Sequence, residues 1–262
     1  MANKNKTAAD FLKTISMDDA HVIGGHFLSL AFGDYIAARV LLLTDCPFQG
    51  LIMASTSIEK YLKAVLATKG KISPVHLDRK DFLDVIKASG LDVSYLSESF
   101  IKYLGHAYQF RYIDINSGPS SVVIEVRKVL AELDFSVSML EKYALQVRDG
   151  KRVKRTYEKS VEEKDRRICQ ENHIVDGKSK AEFLSTPGTV QCVVVKPMQP
   201  LFSFPYYGFI SENDANFDFP TLTFDGANGV LFKFRDAQQA DHFHKQIEKG
   251  IANYAKLQKN RS

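Results

Sequence analysis

The chain has no tryptophan and only three cysteines in 262 residues. Cys46, Cys169 and Cys192 lie far apart. They make no metal-ligand pair and no disulfide framework, which fits a reducing compartment. No apolar run reaches the length that spans a bilayer. The charged start, Met1-Ala2-Asn3-Lys4-Asn5-Lys6, leads into no apolar stretch with a cleavage site. A cytoplasmic protein with no membrane association is expected. No strong excess of one charge is present either. The 35 basic and 31 acidic residues leave a net charge of +4 and a pI near 8.8, compatible with an anionic partner but not diagnostic of one. A Walker-type glycine loop, G-x-S-x-G, C-x-x-C and H-E-x-x-H are all missing. His242 and His244 alternate on a predicted helix and so point apart. The acids around 223–229 are too few for a calcium cage. No cofactor and no metal are expected.

What is present is a helical pattern over the first half. The composition, 45% hydrophobic and 25% charged, suits one large or two modest domains, and two are expected. Phe27, Leu28, Ala31, Tyr35, Ala38 and Leu42 have helical spacing and predict a helix over about 20–43. Asp18 or Asp19 would cap it, Gly24, Gly25 and Gly33 would weaken it, and Arg39 would lie opposite most of the stripe. A second helix over about 48–69 buries Leu51, Ala54, Ile58, Tyr61, Leu62 and Val65. Pro47 suits its first turn and Gly70 its stop. Its other face carries Ser57, Glu59, Lys60 and Lys63, and Glu59 and Lys63 are spaced as a surface ion pair. His76 follows in a loop. Shorter and longer helices are predicted over about 79–88, 94–113 and 120–147. The last of these rests on Val123, Val126, Leu130, Leu133, Val137, Leu140 and Ala144. Four long helices with one short one predict an antiparallel bundle.

Four segments in order carry a family resemblance. They are Asp34-Tyr35-Ile36-Ala37-Ala38-Arg39-Val40-Leu41, then Ser57-Ile58-Glu59-Lys60-Tyr61-Leu62-Lys63-Ala64, then His76-Leu77, then Tyr103-Leu104-Gly105-His106-Ala107-Tyr108-Gln109-Phe110-Arg111-Tyr112. This order resembles the HEPN family (higher eukaryotes and prokaryotes nucleotide-binding) over residues 20–148. The resemblance implies a helical bundle that dimerises through its helices. It also implies nucleotide or RNA binding in an accessory or regulatory role, in a toxin–antitoxin or defence setting. Many HEPN proteins resemble metal-independent ribonucleases with Arg and His spaced R-x4-6-H. In such a pair His moves a proton and Arg holds the phosphate. No arginine in the predicted bundle has a histidine at that downstream spacing. His106 and Arg111 stand in reversed order. Arg166 and Arg167 with His173, and Arg235 with His242, match the spacing outside the bundle. Lys60, Lys63, His106 and Arg111 are the candidate phosphate-binding residues, on the condition that their two helices pack side by side. The bland alternative makes Arg111 a partner of Glu59 or Asp114, His106 an interior histidine, and Tyr103, Tyr108 and Tyr112 core or dimer contacts. A ribonuclease with displaced catalytic residues and a non-enzymatic interaction scaffold both stay open.

Beyond residue 150 the pattern changes. Arg148, Lys151, Arg152, Lys154 and Arg155 form a basic run, and residues 151–180 read as a charged linker or exposed helix. From 181 to 262 a small α+β domain is expected, able to dock a protein partner. Residues 191–196, Phe202-Ser203-Phe204 and Phe217-Asp218-Phe219 read as strands. Thr221–Phe224 and Val230–Phe234 read as a hairpin. A terminal helix is predicted from Asp236 to Leu257.

Overall fold

A computed structural model of the chain describes residues 7–44, 46–78, 82–109, 120–143, 147–148, 151–152, 155–186, 188–195, 202–208, 222–225 and 229–232. A 3-10 turn at Ala8–Phe11 leads into strand β1 (Lys13–Thr14). Helices α1 (Met17–Leu42) and α2 (Pro47–Thr68) follow. Strand β2 (Lys71–Ile72) pairs antiparallel with β1. Then come α3 (Phe82–Ala88), α4 (Glu98–Gln109), strand β3 (Ser120–Glu125) and α5 (Val126–Tyr143). The two-residue strands β4 (Val147–Arg148) and β5 (Lys151–Arg152) pair with each other. Short helices α6 (Thr156–Glu162), α7 (Arg166–Cys169) and α8 (Lys180–Leu184) precede β6 (Gly188–Val195), β7 (Phe202–Gly208), β8 (Leu222–Asp225) and β9 (Gly229–Phe232). The described residues are mainly helical, as the spacing predicts.

The helix ends follow local chemistry. Ser16, not Asp18 or Asp19, caps α1. Its hydroxyl accepts from the Asp19 amide at 3.1 Å and donates to the Asp19 carboxylate at 2.7 Å. The two aspartates occupy the first turn instead, where negative charge suits the helix dipole. Pro47 opens α2. Gly70 ends it at φ +64°, a left-handed conformation that glycine enters without steric cost. Helix α4 begins four residues later than predicted. Ser97 caps it, accepting from the Phe100 amide at 3.2 Å, while Asp92 turns the preceding chain by accepting from the Ser94 amide at 2.9 Å.

One apolar core joins α1, α2, α3, α4 and α5. Helices α1 and α2 make the most extensive contact, and α2 also packs on α4 and α5. Ala31, Tyr35, Ala38 and Leu42 of α1 face Leu51, Ala54, Ile58, Tyr61 and Leu62 of α2, all buried. Gly24 sits where a Cβ would touch Ala67 at 3.4 Å, so the small residue serves the close packing of α1 on α2. Each fully buried leucine or isoleucine here contributes about 1.5–3 kcal/mol. An exposed ion pair contributes about 0–1 kcal/mol. The apolar stripes therefore set the packing.

Two expectations change. Residues 120–125 are a strand, not the first turns of a helix. Ser120-Ser121-Val122-Val123-Ile124 is short-chained and β-branched, a composition that suits a strand once a partner is available. That partner is β6, antiparallel from Ser120 opposite Val195 to Glu125 opposite Val190. β7 pairs on the other side of β6. β8 and β9 pair antiparallel. The second change concerns residues 151–180, expected as a charged linker or exposed helix. Tyr157 and Ile168 join the bundle core, and Asn172 and His173 are buried. Phe183 and Leu184 pack on Ala131 of α5. The segment is folded against the bundle. Phe217–Phe219 and the terminal helix expected over 236–257 lie outside the described residues.

Candidate functional site

Helices α2 and α4 pack together, with residues 73–78 running beside them. The approach is close: a Cβ on Gly105 would stand 2.8 Å from the Leu77 carbonyl oxygen and 3.5 Å from the Asp78 Cα. Val75 and Leu77 are buried, and His76 between them turns outward with its side chain 54% exposed.

Glu59 organises this junction. One carboxylate oxygen accepts from the Lys63 ammonium at 2.7 Å and lies 2.9 Å from His76 Nδ1. The other accepts from the Leu77 amide at 3.1 Å. The Glu59–Lys63 ion pair expected from spacing is present. The face it sits on is not a solvated one. Glu59 is only 6% exposed, and Ser57 is buried with its hydroxyl donating to the Ala31 carbonyl at 2.9 Å. Burial raises the cost of charge on Glu59, but the Lys63, Leu77 and His76 contacts outweigh it and hold its pKa below the ordinary carboxylate value. The His76 ring stacks on Tyr108 of α4 at 6.0 Å between centroids and 23° between planes. Its plane is thus set from two sides, by a carboxylate at Nδ1 and by an aromatic face.

The four candidate phosphate-binding residues separate. Lys63 belongs to the Glu59 cluster. Lys60, one turn earlier, instead reaches across to Asp34 of α1 at 2.6 Å. His106 is exposed on α4, two residues before Tyr108. Arg111 lies outside the described residues, as do Asp114 and Tyr112. Tyr103 and Tyr108 are buried at 5% and 7% exposure, in keeping with core packing. His76 was legible only as part of the adjacent pair His76-Leu77 in a loop. Its partnership with Glu59 joins residues 17 apart, and no local spacing signals it.

Arg39, expected opposite most of its helix's apolar stripe, is fully buried. It forms an ion pair with Asp134 of α5, which also accepts from the Tyr35 hydroxyl at 2.8 Å. The remaining donors go to main-chain carbonyls: Nε to Arg167 at 2.8 Å, and Nη2 to Gln170. Burial opposes the charge on Arg39, yet Asp134 and the tyrosines outweigh it and hold the guanidinium protonated. Every donor group of this arginine faces the protein, so it is a staple and not a phosphate ligand. A second buried carboxylate, Glu141, accepts from the Tyr61 hydroxyl at 2.7 Å and the Tyr157 amide at 3.3 Å.

The arginine–histidine spacing at 166–173 makes no site. His173 is buried between the Ala131 carbonyl, 3.1 Å from Nε2, and the Lys178 carbonyl, 3.3 Å from Nδ1. Arg167 is exposed and grips Asp165 at 2.6 Å. Arg235, His242 and His244 lie outside the described residues. Among the described residues no group of three His, Cys, Asp or Glu side chains is arranged to hold a metal ion, and no helix is long and apolar enough to cross a membrane. Comparison of the chain with protein-family models, with curated proteins and with solved structures finds no match.

Proposed function

We propose that the chain is an HEPN-like protein that binds nucleotide or RNA phosphates on the face shared by α2 and α4, in an accessory or regulatory role. The reading takes α1, α2, α4 and α5 as the long helices of an antiparallel bundle and a second copy as its dimer partner. What supports it is one juxtaposition: α2, residues 73–78 and α4 bring Lys63, the outward His76 and the Tyr108 ring into one cluster. Imidazole and ammonium groups are suited to phosphate oxygens. The mild positive net charge is compatible with that ligand.

The test uses the purified full chain, a pool of short RNAs, and ATP, in low salt at pH 6.0 with a chelator present. Binding and cleavage are read together. Retention of RNA or ATP without cleavage, weakened by Lys63→Glu or His106→Ala, is the expected result. Cleavage that survives the chelator and is lost in His76→Ala would favour the ribonuclease alternative. Neither binding nor cleavage would overturn the proposal in favour of an interaction scaffold.

A further inference from the structure

Glu59 does more to His76 than fix its plane. Its carboxylate can only accept, so the nitrogen facing it, Nδ1, carries the proton in the neutral ring. The neutral ring therefore presents the lone pair of Nε2. Among the described residues Nε2 has no partner, and the side chain is 54% exposed. A lone pair repels a phosphate oxygen. The doubly protonated ring presents an N–H and a positive charge at the same place.

The surrounding charges sharpen this difference. On α2, Glu59 is matched by Lys63. On α4 the ring meets neutral Tyr108, with His106 exposed two residues earlier. On its own segment Asp78 follows two residues later. Protonation of His76 adds one positive charge beside the Glu59–Lys63 ion pair.

We infer that His76 is the residue of this face that contacts RNA phosphate, that it does so only as the imidazolium, and that Glu59 positions it by holding Nδ1. Binding is then coupled to proton uptake at His76. The inference rests on the nucleic-acid-binding reading above and adds to it the contacting group and its regulation by pH.

The experiment is fluorescence anisotropy with the full chain and a short oligouridylate carrying a rhodamine label. The RNA has no terminal phosphate monoester, so its charge is constant over the range used. Affinity is measured in low salt from pH 5.5 to pH 8.0. Wild type should lose at least about tenfold in affinity between pH 6 and pH 8, as loss of the imidazolium contact requires. His76→Asn keeps a donor near the Nδ1 position for Glu59 and removes Nε2. It should match wild type at pH 8 and show most of the pH dependence abolished. His76→Gln, checked for unchanged helicity, should do the same. Six other histidines are present in the chain. A fall that persists in both variants would assign the effect to them and overturn the inference. So would RNA binding by wild type that does not change with pH. No binding by wild type at any pH would instead overturn the nucleic-acid-binding reading itself.

Discussion

Burial and hydrogen bonding pull Glu59 in opposite directions, and the hydrogen bonds win. Three donors at 2.7–3.1 Å surround a carboxylate that is nearly out of solvent. Because its pKa is lowered in the folded chain, the carboxylate stabilises the fold above the unfolded value of about 4.3. That contribution is lost as the pH falls through the lower folded value. Glu59→Gln keeps the shape and removes the charge. The variant should therefore melt below wild type from pH 7 down to about pH 5. The difference should shrink below about pH 4, where wild type takes up the proton. Thermal melts of both proteins at closely spaced pH values check this. A gap that stays constant down to pH 3 would mean that Glu59 is not held charged. Arg39 shows the same physics with a different consequence. An arginine on a helix reads as surface from spacing alone, yet this one is buried because an aspartate 95 positions away and two carbonyls beyond residue 165 meet it. No local pattern carries that information.

At the scale of elements, α4 and residues 73–78 depend on a glycine. A methyl group on Gly105 would come within 2.8 Å of the Leu77 carbonyl oxygen, a backbone atom that cannot rotate away. Gly105→Ala is favourable for helix propensity by about 1 kcal/mol. The steric cost of separating the two segments should exceed that gain and leave the protein about 1–3 kcal/mol less stable in urea unfolding. The same displacement should move Tyr108 from under His76 and weaken any ligand that uses the ring. Equal or higher stability would show that the junction can relax. Much of the element pattern was legible. The stripes of α1 and α2, Pro47 and Gly70 follow from rules that act within a few residues. Residues 120–125 were not legible, because Val123 and Val126 fit a helical stripe as well as Val122 and Ile124 fit a strand. Pairing with β6, some 70 residues later, decides between them. The candidate site was half legible for the same reason. Lys63 and its Glu59 partner are four residues apart on one helix, whereas His76 and Tyr108 arrive from other elements.

At the scale of the whole molecule, residues 155–184 complete the helical core. The buried Arg39–Asp134 pair has its other donors satisfied by the carbonyls of Arg167 and Gln170. Glu141 accepts from the Tyr157 amide, and Tyr157 and Ile168 fill the core. A chain ending at residue 150 loses all of these at once. Two donor groups of a buried guanidinium would lack acceptors, at about 1–3 kcal/mol each. The removal of two core side chains would open further apolar surface, at about 2–5 kcal/mol each. Set against a typical domain stability of about 5–15 kcal/mol, the loss is large. Residues 1–150 alone should therefore unfold well below the full chain or aggregate, while residues 1–186 should retain most of the helical signal and a cooperative melt. Circular dichroism of the two fragments beside the full chain separates the cases. A stable, cooperative 1–150 fragment would show that the bundle closes without α6 and α7, and that Arg39 finds water or other acceptors in their absence. An unstable one would make residues 155–184 part of the same cooperative unit as the face that carries His76, so that variants at Tyr157 or Ile168 would have to be judged for stability before any loss of RNA binding was assigned to the site.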